Sequence, residues 1–85
     1  MEGSRVVTLP GYRWLEVVPG RRGGRPTVRG TRVTVDDILE ALTSGWSVEE
    51  IAENYRIPVE AVYEALRYAL EILRKIEAIA VETTS

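Results

Sequence analysis

The chain contains no cysteine and no histidine, and only one methionine. Without cysteine there are no disulfides, no thiolate metal sites and no thiol nucleophiles; without histidine the commonest metal ligand and general base are gone. No metal and no cofactor is therefore expected, and the chain is expected not to be an enzyme. No apolar run approaches the roughly 20 residues that cross a bilayer, and residues 1–10 lack the apolar centre of a signal peptide. A cytoplasmic protein with no membrane contact is the expectation. Lysine is almost missing too, since every basic residue except Lys75 is arginine, the cation suited to bidentate contact with phosphate or carboxylate.

What is present is enough for one small domain. The 85 residues are 45% apolar and 28% charged, a soluble globular composition rather than a disordered one. A chain this short buries only about 60–65% of its unfolded surface, so a partner subunit would help it. The net charge of -2 conceals a split. Residues 1–34 hold seven arginines against Glu2 and Glu16, a balance of +5, whereas residues 35–85 hold four cations against eleven acids, a balance of -7. Either the halves meet different partners or the basic half neutralises the acidic one within a fold or dimer.

Residues 1–11 read as an arm, with Val6, Val7 and Leu9 able to add an edge strand. Residues 12–18, YRWLEVV, alternate as a short strand, Tyr12, Trp14, Glu16 and Val18 on one face, Leu15 and Val17 on the other. Pro19 and Gly20 stop it, and residues 21–25 form a glycine-broken basic loop. Two β-rich runs, 27–29 and 32–33, flank Gly30-Thr31 and predict a hairpin. No helix is expected before Thr34. Beyond it the period becomes 3.6: Thr34 caps a helix over 35–44, with Asp36 and Asp37 in its first turn and Gly45 ending it. Ser47 and Glu50 form a capping box for a second helix ending near Tyr55. A third helix starts at or near Pro58 and runs to about residue 81, leaving 82–85 as a tail to a single domain over 12–81.

That third helix carries more apolar surface than one thin core can cover. Val62, Leu66, Ala69, Leu73, Ile76 and Ala80 follow 4-3 spacing, and Ala65, Ile72 and Ile79 lie beside them. The proximal half is expected to pack on the first two helices. The distal half, with Leu66, Ala69, Ile72, Leu73, Ile76 and Ile79, is expected to pack on a second copy as a homodimer. An antiparallel fold-back onto the N-terminal strand is the competing arrangement.

The segment from Val48 to Leu66 has helix-turn-helix grammar, with small Ala52 allowing a close crossing and a turn at Arg56-Ile57-Pro58. Arg56 stands where glycine is frequent. Glu60 and Glu64 would repel phosphates, and Arg67 is the one cation along the would-be reading helix. A trihelical scaffold that never touches DNA through that helix fits equally well. Arg21, Arg22, Arg25, Arg29 and Arg32 lie within twelve residues among glycines that include Gly24 and Gly30. Those arginines exceed what turn geometry requires, which favours a macromolecular contact over a solvated turn. Asp36 and Asp37 fit helix capping better than catalysis, and Glu49, Glu50 and Glu53 fit a solvated acidic face. Trp14 and Trp46 are expected in the core.

Gly23, Gly24, Arg25 and Pro26, followed by Arg29, Gly30, Thr31 and Arg32, resemble the signature of the family called domain of unknown function 433. Gly45, Ser47, Glu50 and Ile51 fit the same family's interhelical turn and second helix. Arg25 replaces the family's usual lysine, Thr34 its usual proline, and a cysteine often found before the glycines is absent. The resemblance spans about residues 12–73. It implies a mainly α, trihelical helix-turn-helix-like or winged-helix-like domain with a short N-terminal β-hairpin and a long C-terminal helix. It also implies a prokaryotic antitoxin paired with a PIN-type nuclease toxin, and brings no catalytic residues. Three functions follow in order: an antitoxin-like homodimer that binds such a toxin and its own operator DNA, a stand-alone DNA-binding regulator using hairpin and helix as a wing-like clamp, and a dimeric structural adaptor.

Overall fold

The computed structural model describes the backbone of residues 6–84 and the side chains up to residue 77. Three short strands, β1 (Val7–Thr8), β2 (Leu15–Val17) and β3 (Thr27–Val28), precede three helices, α1 (Val35–Thr43), α2 (Val48–Tyr55) and α3 (Val59–Thr84). The strands form one antiparallel sheet in the order β1-β2-β3, with Val7 opposite Val17, and Leu15 opposite Val28. The fold is mainly helical, fronted by a small sheet and ended by a long helix.

Local chemistry explains the helix starts. Thr34 accepts from the Asp37 amide while the Asp37 carboxylate accepts from the Thr34 amide, and Ser47 and Glu50 repeat the arrangement at α2. Each pair satisfies two amides that a helix start otherwise leaves without partners. Gly45 ends α1 at φ 99°. Arg56 ends α2 in the left-handed region, φ 58° and ψ 48°, and the Arg56 and Ile57 amides both reach the Ala52 carbonyl. Here an arginine fills the backbone position for which glycine is the usual choice.

The β half departs from the alternation. Only three residues of the expected strand over 12–18 pair in the sheet, because residues 11–14 leave it to bond α3. The predicted edge strand is present as β1. The hairpin about Gly30-Thr31 is present, but its second run is an isolated antiparallel bridge rather than a strand: Val28 donates to the Val33 carbonyl at 2.8 Å and Thr27 bridges Thr34, after which the chain enters α1. Arg21–Gly24 makes a single 3-10 turn, broken by Arg22 at φ 50°, in what reads from the sequence as plain loop.

The core gathers Leu15, Val28, Ile38, Ile51, Ala61, Val62 and Ala65, every one no more than 1% exposed, so all three helices and the inner sheet face contribute. Trp14 packs against it as expected. Trp46 does not: it is 38% exposed and lies on Tyr55 with ring centres 6.3 Å apart. Ile38, Ala41, Ile51 and Ala52 of α1 and α2 belong to the core cluster, and the indole is not among the side chains packed against it. α3 reaches Thr84 rather than 81; its 26 residues make it about 39 Å long at 1.5 Å per residue.

Candidate interaction surface

The arginines of the glycine loop do not stand free together. Arg21 donates to Glu16 at 3.1 Å and to the Thr31 carbonyl at 3.1 Å. Glu16 is a buried carboxylate, 7% exposed, and also accepts from the Gly30 amide at 2.9 Å. Gly30 sits at φ 75° with open space where a Cβ would lie, so glycine is required there for its backbone angle and not for room. Arg22 donates to Asp37 and to the Arg32 carbonyl, and Arg25 to Asp36. Burial pushes the Asp37 carboxyl up, but the Thr34 amide and hydroxyl and the Arg22 guanidinium outweigh it, so it titrates below its ordinary 3.8. Three of the five arginines therefore button the loop to β2 and α1. Arg29 and Arg32 are exposed, and their side chains take part in none of the hydrogen bonds and ion pairs among the described residues.

The face of α3 that carries Glu60 and Arg67 is also occupied. Glu60, Glu64, Arg67 and Glu71 fall on one stripe at helical spacing, and residues 11–14 run along it as a strap. Glu64 accepts from the Arg13 and Trp14 amides at 3.0 and 2.7 Å, and Glu60 from the Trp14 indole at 3.3 Å. Arg67 donates to the Gly11 carbonyl at 2.7 Å and lies 4.4 Å from the centre of the Tyr12 ring. The Tyr12 hydroxyl donates to Glu71; burial first, then that hydrogen bond and the carboxylate charge, push its pKa up to about 12. A fold-back of the N-terminal segment onto this helix is thus real along residues 60–71. The acids that would repel phosphate are acceptors within the chain, Glu64 for two backbone amides and Glu60 for an indole, and Arg67 is engaged inside the molecule.

Beyond the strap, α3 leaves apolar side chains exposed along residues 70–76. Leu66 and Ala69 are half-buried, whereas Leu70, Ile72, Leu73 and Ile76 are 44, 37, 50 and 57% exposed. Of the residues expected on this apolar face, Ile79 lies outside the described side chains, and Leu70 is an addition that the 4-3 spacing passes over. Ile72, Leu73 and Ile76 form one wall of a groove of about 630 Å3, faced by Gly24, at φ 80°, by Pro26 and by Leu39 of α1. The glycine-glycine-arginine-proline signature thus lines the same depression as the uncovered helix. Contiguous exposed apolar surface of this kind marks binding sites.

No grouping of three or more acidic side chains suited to a metal occurs among the described residues, and no described helix is long and apolar enough to cross a membrane. Fold and surface define a small, mainly helical domain of three helices and a short three-stranded sheet, with apolar side chains exposed along α3. The chain belongs to the family described as protein of unknown function (DUF433), whose model matches residues 15–69. That span covers the inner sheet, the arginine loop, α1, α2 and the covered part of α3. No curated protein and no solved structure matches the chain.

Proposed function

We propose that the chain is a non-catalytic, antitoxin-like binding module. It pairs with a second copy through the distal half of α3 and presents Arg29 and Arg32 to a nuclease partner of the PIN type. The observation that carries this reading is the exposed apolar face of Ile72, Leu73 and Ile76, which walls the groove, a surface suited to protein and not to nucleic acid. The hairpin supplies the charge. A PIN-type active site is lined by carboxylates, and arginines inserted among them form charge-assisted pairs that displace metal or RNA phosphate. Operator DNA is a second ligand of the same basic edge, since a dimer doubles the number of exposed arginines and phosphate contacts add. A stand-alone regulator reading DNA through α3 is supported less, because the strap already holds Glu60, Glu64 and Arg67.

Co-expression with a PIN-type nuclease encoded beside it tests the proposal. The two chains should purify together and RNA cleavage should be suppressed. Replacing both Arg29 and Arg32 by alanine should restore cleavage while changing stability by less than about 1 kcal/mol, as is usual for exposed charges. Independent elution of the two chains, with cleavage undiminished, would sink the proposal. Survival of inhibition in the double variant would move the contact to another surface.

A further inference from the structure

On another side of α1 from the groove, Asp37, Glu40, Ala41 and Ser44 line a notch of about 230 Å3 whose other wall is Trp46 and Tyr55. We propose that this notch is a receptor for an arginine side chain on a basic segment of a partner protein. None of its residues lines the groove, so it is a separate site that does not depend on the function proposed above.

Three features of different origin favour a cation there. The first is the aromatic wall. Trp46 is a large side chain held out in solvent, yet it is fixed, its ring stacked on Tyr55 at an interplanar angle of 28° and its amide bonded to the Ala41 carbonyl at 3.1 Å. A preorganised indole face attracts a guanidinium laid over it. The second is the end of α1. Its last turn carries no basic residue, and Ala41 and Ser44 at that end line the notch, so the negative end of the helix dipole beside it has no counter-charge on its own helix. The third is charge: residues 35–55 carry six acids and no lysine or arginine, and of the two acids that line the notch, Glu40 pairs with no cation among the described residues.

The carboxylates sort into matched and unmatched. Asp37 already receives Arg22, and Asp36 receives Arg25, so the chain itself places guanidinium groups on the first turn of α1. Glu40, one turn further, is exposed and accepts no such donor among the described residues. A guanidinium has the shape to use both walls, its plane on the indole and its fork on Glu40, while an ammonium can satisfy only one at a time. The occupant is therefore arginine rather than lysine.

Titration calorimetry with the intact protein and a capped glycine-arginine repeat peptide tests this, with a glycine-lysine repeat and a glycine-glutamate repeat alongside. The arginine peptide should bind saturably, the lysine peptide more weakly and the glutamate peptide not at all. Glu40→Gln and Trp46→Leu should each weaken arginine binding by about three- to tenfold, and Trp46→Phe should recover part of the loss. Glu53→Gln removes the same charge from the exposed face of α2 outside the notch and should leave binding unchanged. Absence of saturable binding, equal binding of the lysine peptide, or equal weakening by Glu53→Gln and Glu40→Gln would overturn the proposal. Circular dichroism of each variant separates loss of binding from loss of fold.

Discussion

Glu16 is where the arginine loop and the hairpin tip converge, so replacing it tests how the loop is held. Glu16→Ala removes the acceptor for the Gly30 amide at 2.9 Å and for Arg21 at 3.1 Å. A hydrogen bond to a charged group contributes about 1.5–3 kcal/mol. The Gly30 bond belongs at full weight because its acceptor is buried. The Arg21 pair must be discounted, since that side chain is 28% exposed and water replaces part of what is lost. Together they imply a cost of about 2–4 kcal/mol. In a domain of this size each kcal/mol moves the melting midpoint by about 4–8 °C, so Glu16→Ala should melt roughly 10–30 °C below the parent. Glu16→Gln keeps an oxygen for Gly30 and should fall about midway. Arg21→Ala should cost less than Glu16→Ala, and adding it to Glu16→Ala should cost only what its bond to the Thr31 carbonyl contributes, less than in the parent, the mark of a coupled pair. Thermal melts followed by circular dichroism supply every value. A Glu16→Ala midpoint within about 3 °C of the parent would refute the clamp.

Other outcomes follow from neighbouring features. Ile76→Glu should convert a dimer into a monomer with the covered core intact, because it places charge where an apolar side chain contributes about 1.5–3 kcal/mol on burial; light scattering that finds the parent itself monomeric would contradict the α3 interface. Asp37 titrates low in the folded state, so its contribution is fully present above the ordinary value of 3.8 and is lost as pH falls through the lowered one. Asp37→Asn should therefore lower stability at neutral pH and flatten the loss on the acid side; urea midpoints that decline in parallel for both proteins below about pH 4 would speak against it. Arg56→Gly should raise stability by about 0.5–1 kcal/mol by relieving the left-handed backbone angle, and a lowered urea midpoint would show that the arginine side chain matters more than its backbone.

What could be read from the sequence was local in origin. Thr34 with Asp37 and Ser47 with Glu50 are bonded three residues apart, so spacing alone locates both helix starts. The hairpin turn at Gly30 is equally local. The strap was beyond periodicity, because Trp14 and Glu64 are 50 residues apart and each has a plausible role without the other: a strand residue, and a charge on a helix surface. Glu16 shows the same difficulty, since alternation assigns a face but cannot say that a carboxylate on it will be buried with an arginine from the next loop. Trp46 differs because aromatic character argues for burial, whereas its position in the α1–α2 turn puts it on Tyr55 at the surface, a pairing that periodicity does not reveal. For the groove, each wall was visible in the sequence, the signature loop and the apolar stripe, but not their adjacency.

The strap also bears on how the chain reaches its native state. The strand pairs, the α1 and α2 caps and the α2–α3 turn join residues close in sequence and can form early, in the manner of fast-folding helical proteins. Bonding residues 11–14 to α3 instead closes loops of 46 to 59 residues, whose entropy must be lost before any of those bonds forms. Attraction between the basic first half and the acidic second half offsets some of that loss while the chain is still open, and salt screens it. Added salt should therefore slow refolding more than it accelerates unfolding, which gives a largely helical protein a folding rate governed by the meeting of its two oppositely charged halves.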